Sequence, residues 1–177
     1  MIKPEYKLEA LKTLNQKLKP PGELGGVFLP EGAKEQFDFM FIGEMPSMNE
    51  PKNWDGISNY NFNVTKRDKF LQEMMVKYAV GGSYLTDIVK ARDVARMPTK
   101  DEIKKWLPYL LREIDILETR AIVVLGERTY KKSFKKYVEP FISQNIKVDY
   151  VFHYCSQVTR DKFEKRFSEI IERLKIQ

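Results

Sequence analysis

The sequence holds a single cysteine, Cys155, and a single histidine, His153, in 177 residues. One cysteine excludes an internal disulfide framework, a four-cysteine zinc site and a self-contained four-cysteine iron–sulfur cluster. One histidine excludes a multi-histidine metal centre, so neither a metal nor another cofactor is expected. Long apolar runs are also missing. The most apolar stretches, such as residues 121–125, have the length of a strand and not of a membrane span. The amino terminus lacks the apolar core of a signal peptide, which makes the cytoplasm the expected compartment. Neither Gly-x-Gly-x-x-Gly nor Gly-x-x-x-x-Gly-Lys-Ser/Thr occurs, so the usual dinucleotide and phosphate loops are absent. No Gly-x-Ser-x-Gly elbow supports a serine triad. Internal repeats, low-complexity tracts and Gly/Ser linkers are likewise absent.

The 31 Lys and Arg against 25 Asp and Glu leave a net charge of +6, which favours a polyanionic partner without deciding for one. A charged fraction of 32% with 12% aromatics belongs to a folded chain. The length fits one domain over residues 1–177, able to bury roughly 70% of its unfolded surface. Residues 1–22 form an amino-terminal helix with a proline-rich stop. Leu8, Leu11, Leu14 and Leu18 recur at helical spacing, and Pro20-Pro21-Gly22 breaks the ladder.

A Gly/Pro-rich connector runs to about Gln36, and residues 37–43 then read as a strand buried on both faces and closed by Gly43. Residues 44–64 are too irregular for a helix. Residues 65–78 carry Phe70, Leu71, Met74 and Met75 on one side of a helix, and residues 84–89 form a second strand. Thr99-Lys100-Asp101-Glu102 is a capping box opening a helix with Ile103, Leu107, Leu110, Ile114 and Leu117. Pro108 inside it predicts a kink or a late start. Residues 121–125 form the third strand, 127–137 a basic helix, 147–152 the fourth strand and 159–174 a closing helix. Strands separated by helices predict an α/β fold: a single three-layer α/β/α domain around a mostly parallel, four-stranded sheet.

Ligands of such sheets gather at the carboxyl edge of the strands. That edge collects Gly43-Glu44, Thr86-Asp87, Gly126-Glu127 and His153, and so draws Glu44, Asp87 and His153 together. A Cys155–His153 dyad is conceivable, but no basic neighbour obviously activates the thiol. A carboxylate and an imidazole without metal suit cleavage or transfer at a centre that develops positive charge. The carboxylate stabilises an oxocarbenium-like sugar or orients water, and the imidazole hydrogen-bonds the departing group.

Gly43-Glu44-Met45-Pro46-Ser47-Met48-Asn49-Glu50 resembles the Gly-Glu-x-Pro-Gly-x-x-Glu motif of the uracil-DNA glycosylase superfamily, in the branch typified by thermophilic and archaeal enzymes. Further segments resemble that family in its order: Phe62 before the helix bearing Phe70-Leu71, then Tyr84-Leu85-Thr86-Asp87-Ile88-Val89-Lys90, Trp106-Leu107-Pro108, Arg120 to Gly126, and His153-Tyr154-Cys155-Ser156. The resemblance implies a DNA glycosylase that hydrolyses the N-glycosidic bond of a flipped-out uracil-like or deaminated base, as a monomer acting in base excision repair. It implies that Glu44 orients water or stabilises the sugar cation, and that His153 hydrogen-bonds the base carbonyl. Gly43, Met45, Pro46, Phe62 and Asp87 would bind the base, Phe62 by stacking. Ser47, Ser156 and Gln157 would touch the backbone or fill the gap in the duplex. Arg128, Lys131, Lys132, Lys135, Lys136, Arg160 and Lys162 are candidate phosphate contacts.

Several positions depart from the family pattern. Asp87 replaces its asparagine, the branch's four cluster cysteines are missing, Ser47 replaces a glycine, and the His-Pro-Ser loop has lost its proline. A carboxylate only accepts hydrogen bonds where an amide both donates and accepts. Two other readings therefore stand beside the first: a catalytically silent domain of the same fold that binds nucleic acid or a protein partner, and a nucleoside or nucleotide hydrolase.

Overall fold

A computed structural model describes residues 4–18, 26–27, 38–46, 62, 66–90 and 97–175. Helix α1 spans Pro4–Leu18, and strands β1 and β2 follow at Gly26–Val27 and Phe39–Gly43. Helix α2 is Lys66–Lys77, β3 is Tyr84–Asp87, α3 is Lys100–Leu117 and β4 is Ala121–Leu125. A composite helix, α4, begins as Glu127–Thr129, widens into a π-turn at Tyr130–Phe134 and closes as Lys135–Tyr137. A short 3₁₀ helix (Glu139–Phe141), strand β5 (Lys147–Val151) and helix α5 (Arg160–Leu174) complete the described order.

The sheet order is β1-β3-β2-β4-β5. β2, β3, β4 and β5 are parallel, in agreement with the four-stranded expectation, and β1 adds an antiparallel edge against β3. β1 lies in the stretch read as connector, because two residues are too few to show a strand's alternation.

Every residue of β2 and β4 is buried, since helices cover both faces. On one face Phe39, Phe41, Leu85 and Val123 pack against Phe70 and Leu71 of α2 and Phe163 and Phe167 of α5. On the other, Met40, Ile42, Tyr84 and Val124 pack against Leu11 of α1, Trp106 and Leu110 of α3, and Phe134 of α4. These layers make the α/β/α sandwich. The capping box at Thr99 forms in both directions: the Glu102 amide donates to Thr99 Oγ1 at 3.3 Å, and the Thr99 amide to Glu102 Oε2 at 2.6 Å. Pro108 does not delay the helix, which starts at Lys100 and continues to Leu117. Pro108 and Lys104, the residues whose ladder bond is lost, are both exposed, so water can satisfy the orphaned carbonyl.

From β2 the chain leaves toward β3, and from β4 it leaves toward β5 on the opposite side. β2 and β4 are neighbours, so their carboxyl ends flank a topological switch point, where a crevice must open between loops that diverge.

Candidate active site

A cleft of about 710 Å³ opens at that point. Its walls come from the ends of all four parallel strands: Gly43, Glu44 and Met45 after β2, Asp87 ending β3, Leu125 to Thr129 after β4, and Phe152 to Ser156 after β5. Phe62, Asp68 and Val158 complete it. Glu44, Asp87 and His153 thus share one cavity.

Register explains how Asp87 and Gly43 meet, because they are paired Cα partners at the ends of β3 and β2. A Cβ on Gly43 would lie 2.2 Å from Asp87 Oδ1 and 3.5 Å from Phe62 Cζ. Only a residue without a side chain lets the Asp87 carboxylate lie across the end of β2. Phe62 is buried in the core while also lining the cleft, and its carbonyl accepts a 2.7 Å hydrogen bond from Gln72 Nε2. Its ring lies 6.3 Å from that of Tyr154, tilted by 44°.

Glu44 is held at both oxygens. Ser133 Oγ donates to Oε1 at 3.0 Å, and Arg128 Nη2 lies 3.3 Å from Oε2. His153 follows β5 and packs on Gly126, where a Cβ would meet the histidine's Cβ at 3.4 Å and its Cδ2 at 3.5 Å. Gly126 has φ of 111°, a conformation that a side chain would strain. The Cys155 amide donates to His153 Nδ1 at 3.2 Å, so the neutral ring carries its hydrogen on Nε2. Although His153 keeps accessible surface, desolvation by the cleft walls pushes its pKa below the ordinary 6.5. Glu44 and Asp68 oppose that shift, and Arg128 and Arg67 reinforce it. At neutral pH His153 therefore presents a neutral N–H donor to the cleft.

This has a measurable consequence for stability. As pH falls through 6.5 the unfolded chain takes up the imidazole proton, while the folded chain holds the ring neutral to lower pH. The unfolded state then binds more protons, and stability decreases over that window. Replacing His153 by glutamine is expected to flatten this segment of the stability curve in urea unfolding between about pH 7.5 and pH 5. Equal slopes for the two proteins would show that the ring is not desolvated.

Two participants escape the motifs. Asp68 on α2 is 3% exposed and lines the cleft beside Tyr154. Burial, followed by the Asp68 charge, holds the Tyr154 phenol well above its usual value of 10, and its hydroxyl bonds to Asp68. Asp68, Leu71 and Met75 share the buried stripe of α2, and an acid on an apolar stripe is the signal that marks it. Ser133 is the other, and helical periodicity gives no sign of it. The Cys155 thiol is pushed up by burial and then by Asp68. Since its own amide occupies His153 Nδ1, the geometry does not favour a Cys155–His153 dyad.

The remaining sequence candidates are dispersed. Met45 lines the cleft and also packs into the core, whereas Pro46 is buried and forms no part of the wall. Ser156 lines the cleft with its amide on the His153 carbonyl at 2.8 Å, while Gln157 is exposed outside it. Ser47 lies outside the described residues. Arg128 lines the cleft. Lys131 pairs with Glu127 at 2.6 Å, and Lys132 is exposed on the same helix. Lys135 and Lys136 lie over the rings of Tyr130 and Tyr137, Arg160 over Phe70 and Lys162 over Phe152. Among the described residues no cluster of three or more His, Cys, Asp or Glu could hold a metal ion, and no helix is long and apolar enough to cross a membrane.

The family profile described as Uracil DNA glycosylase superfamily matches residues 29–175. The chain is 36% identical over 111 residues to a type-4 uracil-DNA glycosylase of Sulfurisphaera tokodaii, covering 60% of this chain and 47% of that protein. It is 32% identical over 113 residues to that of Saccharolobus solfataricus, covering 61% and 49%, and 30% identical over 101 residues to that of Pyrobaculum aerophilum, covering 55% and 48%. The aligned part spans about half the length of these relatives.

Proposed function

The chain belongs to the uracil-DNA glycosylase superfamily, and from that membership we propose that its cleft hydrolyses the N-glycosidic bond of a flipped-out uracil-like or deaminated base in DNA. One observation carries the reading: a fixed carboxylate and a neutral imidazole donor share a cavity of about 710 Å³ at the sheet's switch point. As the bond breaks, the sugar gains positive charge and the base negative charge. Glu44 stabilises the first or orients the attacking water. His153 donates from Nε2 to the base carbonyl, and a neutral donor suits an oxygen whose charge is only developing.

A stacked base hides its glycosidic bond, so the nucleotide must leave the helix at a cost of about a few kcal/mol. Stacking on Phe62 and phosphate contacts from Arg128, Lys131, Lys132 and Arg160 offset that cost, and Ser156 and Gln157 contact the DNA backbone. Asp87 reads the edge of the base, and its carboxylate favours an edge that donates.

Oligonucleotides carrying uracil, hypoxanthine, xanthine or mismatched thymine, scored for alkali-labile sites, test this directly. Wild-type protein is expected to release at least one of these bases. Glu44→Ala and His153→Ala are each expected to slow release by about 10²-fold or more. Salt-sensitive DNA binding with no abasic product would instead assign a silent domain of the same fold. Turnover of free nucleosides would assign a nucleoside hydrolase.

A further inference from the structure

We propose that Ser133 is the positioning residue for Glu44 and that the π-turn of α4 exists in order to deliver it; the inference rests on the glycosylase reading for its kinetic consequences alone. Arg128 and Ser133 contact the same carboxylate although they are five residues apart. In an uninterrupted α-helix five residues advance about 500°, leaving the two side chains about 140° apart on the helix. Lys132, four residues after Arg128, would then occupy the place facing Glu44. The π-turn at Tyr130–Phe134 removes this conflict. The Lys135 amide bonds the Tyr130 carbonyl, an i to i+5 closure, and residues five apart come to one side. Ser133 is therefore turned inward to 2% exposure, while Lys131 and Lys132 stay in solvent.

The two partners of Glu44 are not equivalent. The Arg128 side chain is 66% exposed, and it is also a candidate phosphate contact. A guanidinium drawn to a phosphate leaves Oε2, whereas the buried Ser133 hydroxyl stays on Oε1 and keeps the carboxylate aimed. Ser133 thus governs the chemical step, and Arg128 governs capture of the DNA.

The test uses the 177-residue chain with ¹³C-labelled glutamate, the Glu44 side-chain signal being assigned by its loss in Glu44→Gln. In Ser133→Ala this signal is expected to move and to average between conformers, with Ser133→Thr restoring it in part. On a cleaved oligonucleotide from the panel, Ser133→Ala is expected to lower kcat about ten-fold or more with little change in KM. The same substitution made in Glu44→Ala should have no further effect. Arg128→Ala is expected instead to raise KM and reduce the salt dependence of binding by about one phosphate contact. A Glu44 signal that Ser133→Ala leaves in place overturns the proposal, as does an undiminished kcat. If the wild-type protein cleaves none of the oligonucleotides, the glycosylase reading falls, and the Glu44 signal alone still decides the role of Ser133.

Discussion

Replacing Glu113 by alanine is expected to cost about 3–5 kcal/mol of unfolding free energy, because it strands a buried ammonium. Glu113 lies on α3 with 0% exposure and Lys90 follows β3 with 3%. Lys90 Nζ reaches Glu113 Oε2 at 2.5 Å. Tyr84 donates to Glu113 Oε1 at 2.6 Å, and Thr86 donates to Oε2 at 3.2 Å. Lys90 also donates to the Asp87 carbonyl at 2.7 Å and to the Thr86 hydroxyl. Every member of this network is desolvated, so the loss of one charge leaves the other without compensation.

Breaking a buried pair differs from replacing it. The double change Lys90→Met with Glu113→Leu removes both desolvation costs and is expected to recover most of the stability lost in the single variant. Urea unfolding of the three proteins measures this, and a loss of no more than about 1 kcal/mol in Glu113→Ala would mean that water reaches Lys90. The pair bears on the site as well as on stability. The amides of Ile88 and Val89, just ahead of Lys90, bond the carbonyls of Gly43 at 3.0 Å and Glu44 at 3.1 Å. The network therefore clamps the segment that ties Asp87 to Glu44, and amide exchange at Ile88 and Val89 should quicken in the single variant.

What the sequence discloses and what it hides divide along a physical line. Strands β2 and β4 are covered on both faces, so their burial is written as continuous apolar runs and needs no partner to be recognised. Thr99 and Glu102 lie one helical turn apart, so their capping is a local affair. The carboxyl-edge rule then brings Glu44, Asp87 and His153 together without knowledge of any contact. Pairings that depend on distant segments leave no such trace. Glu113 and Lys90 are separated by 23 positions in the sequence, and each alone reads as a surface charge. Ser133 is hidden for a different reason: a π-turn shifts the phase of a helix by one residue, and periodicity assumes a constant phase. Arg128 shows a third kind of concealment, since its charge is legible in the sequence but the carboxylate it faces is not.

Asp87→Asn is expected to raise release of uracil by about 10²-fold relative to release of a base that presents an amino group where uracil presents a carbonyl. An ionised carboxylate accepts and cannot donate, so a uracil carbonyl placed against it would set two acceptors face to face in a desolvated site. Such a clash, or the hydrogen bond left unmade, is worth roughly 3 kcal/mol, which corresponds to about two powers of ten in rate. The exchange is nearly isosteric. The constraints on the wild-type side chain are strict: 3% exposure, a glycine beneath Oδ1 and the Phe62 ring against the same glycine. An asparagine occupies that volume with no Cβ added at Gly43, so a changed rate reflects the loss of charge and the gained donor. Single-turnover rates on paired oligonucleotides, one with uracil and one with an amino-bearing base, separate these effects. If Asp87 reads the base, the two rates move in opposite directions in the variant; if it shapes only its own loop, both move together and their ratio holds.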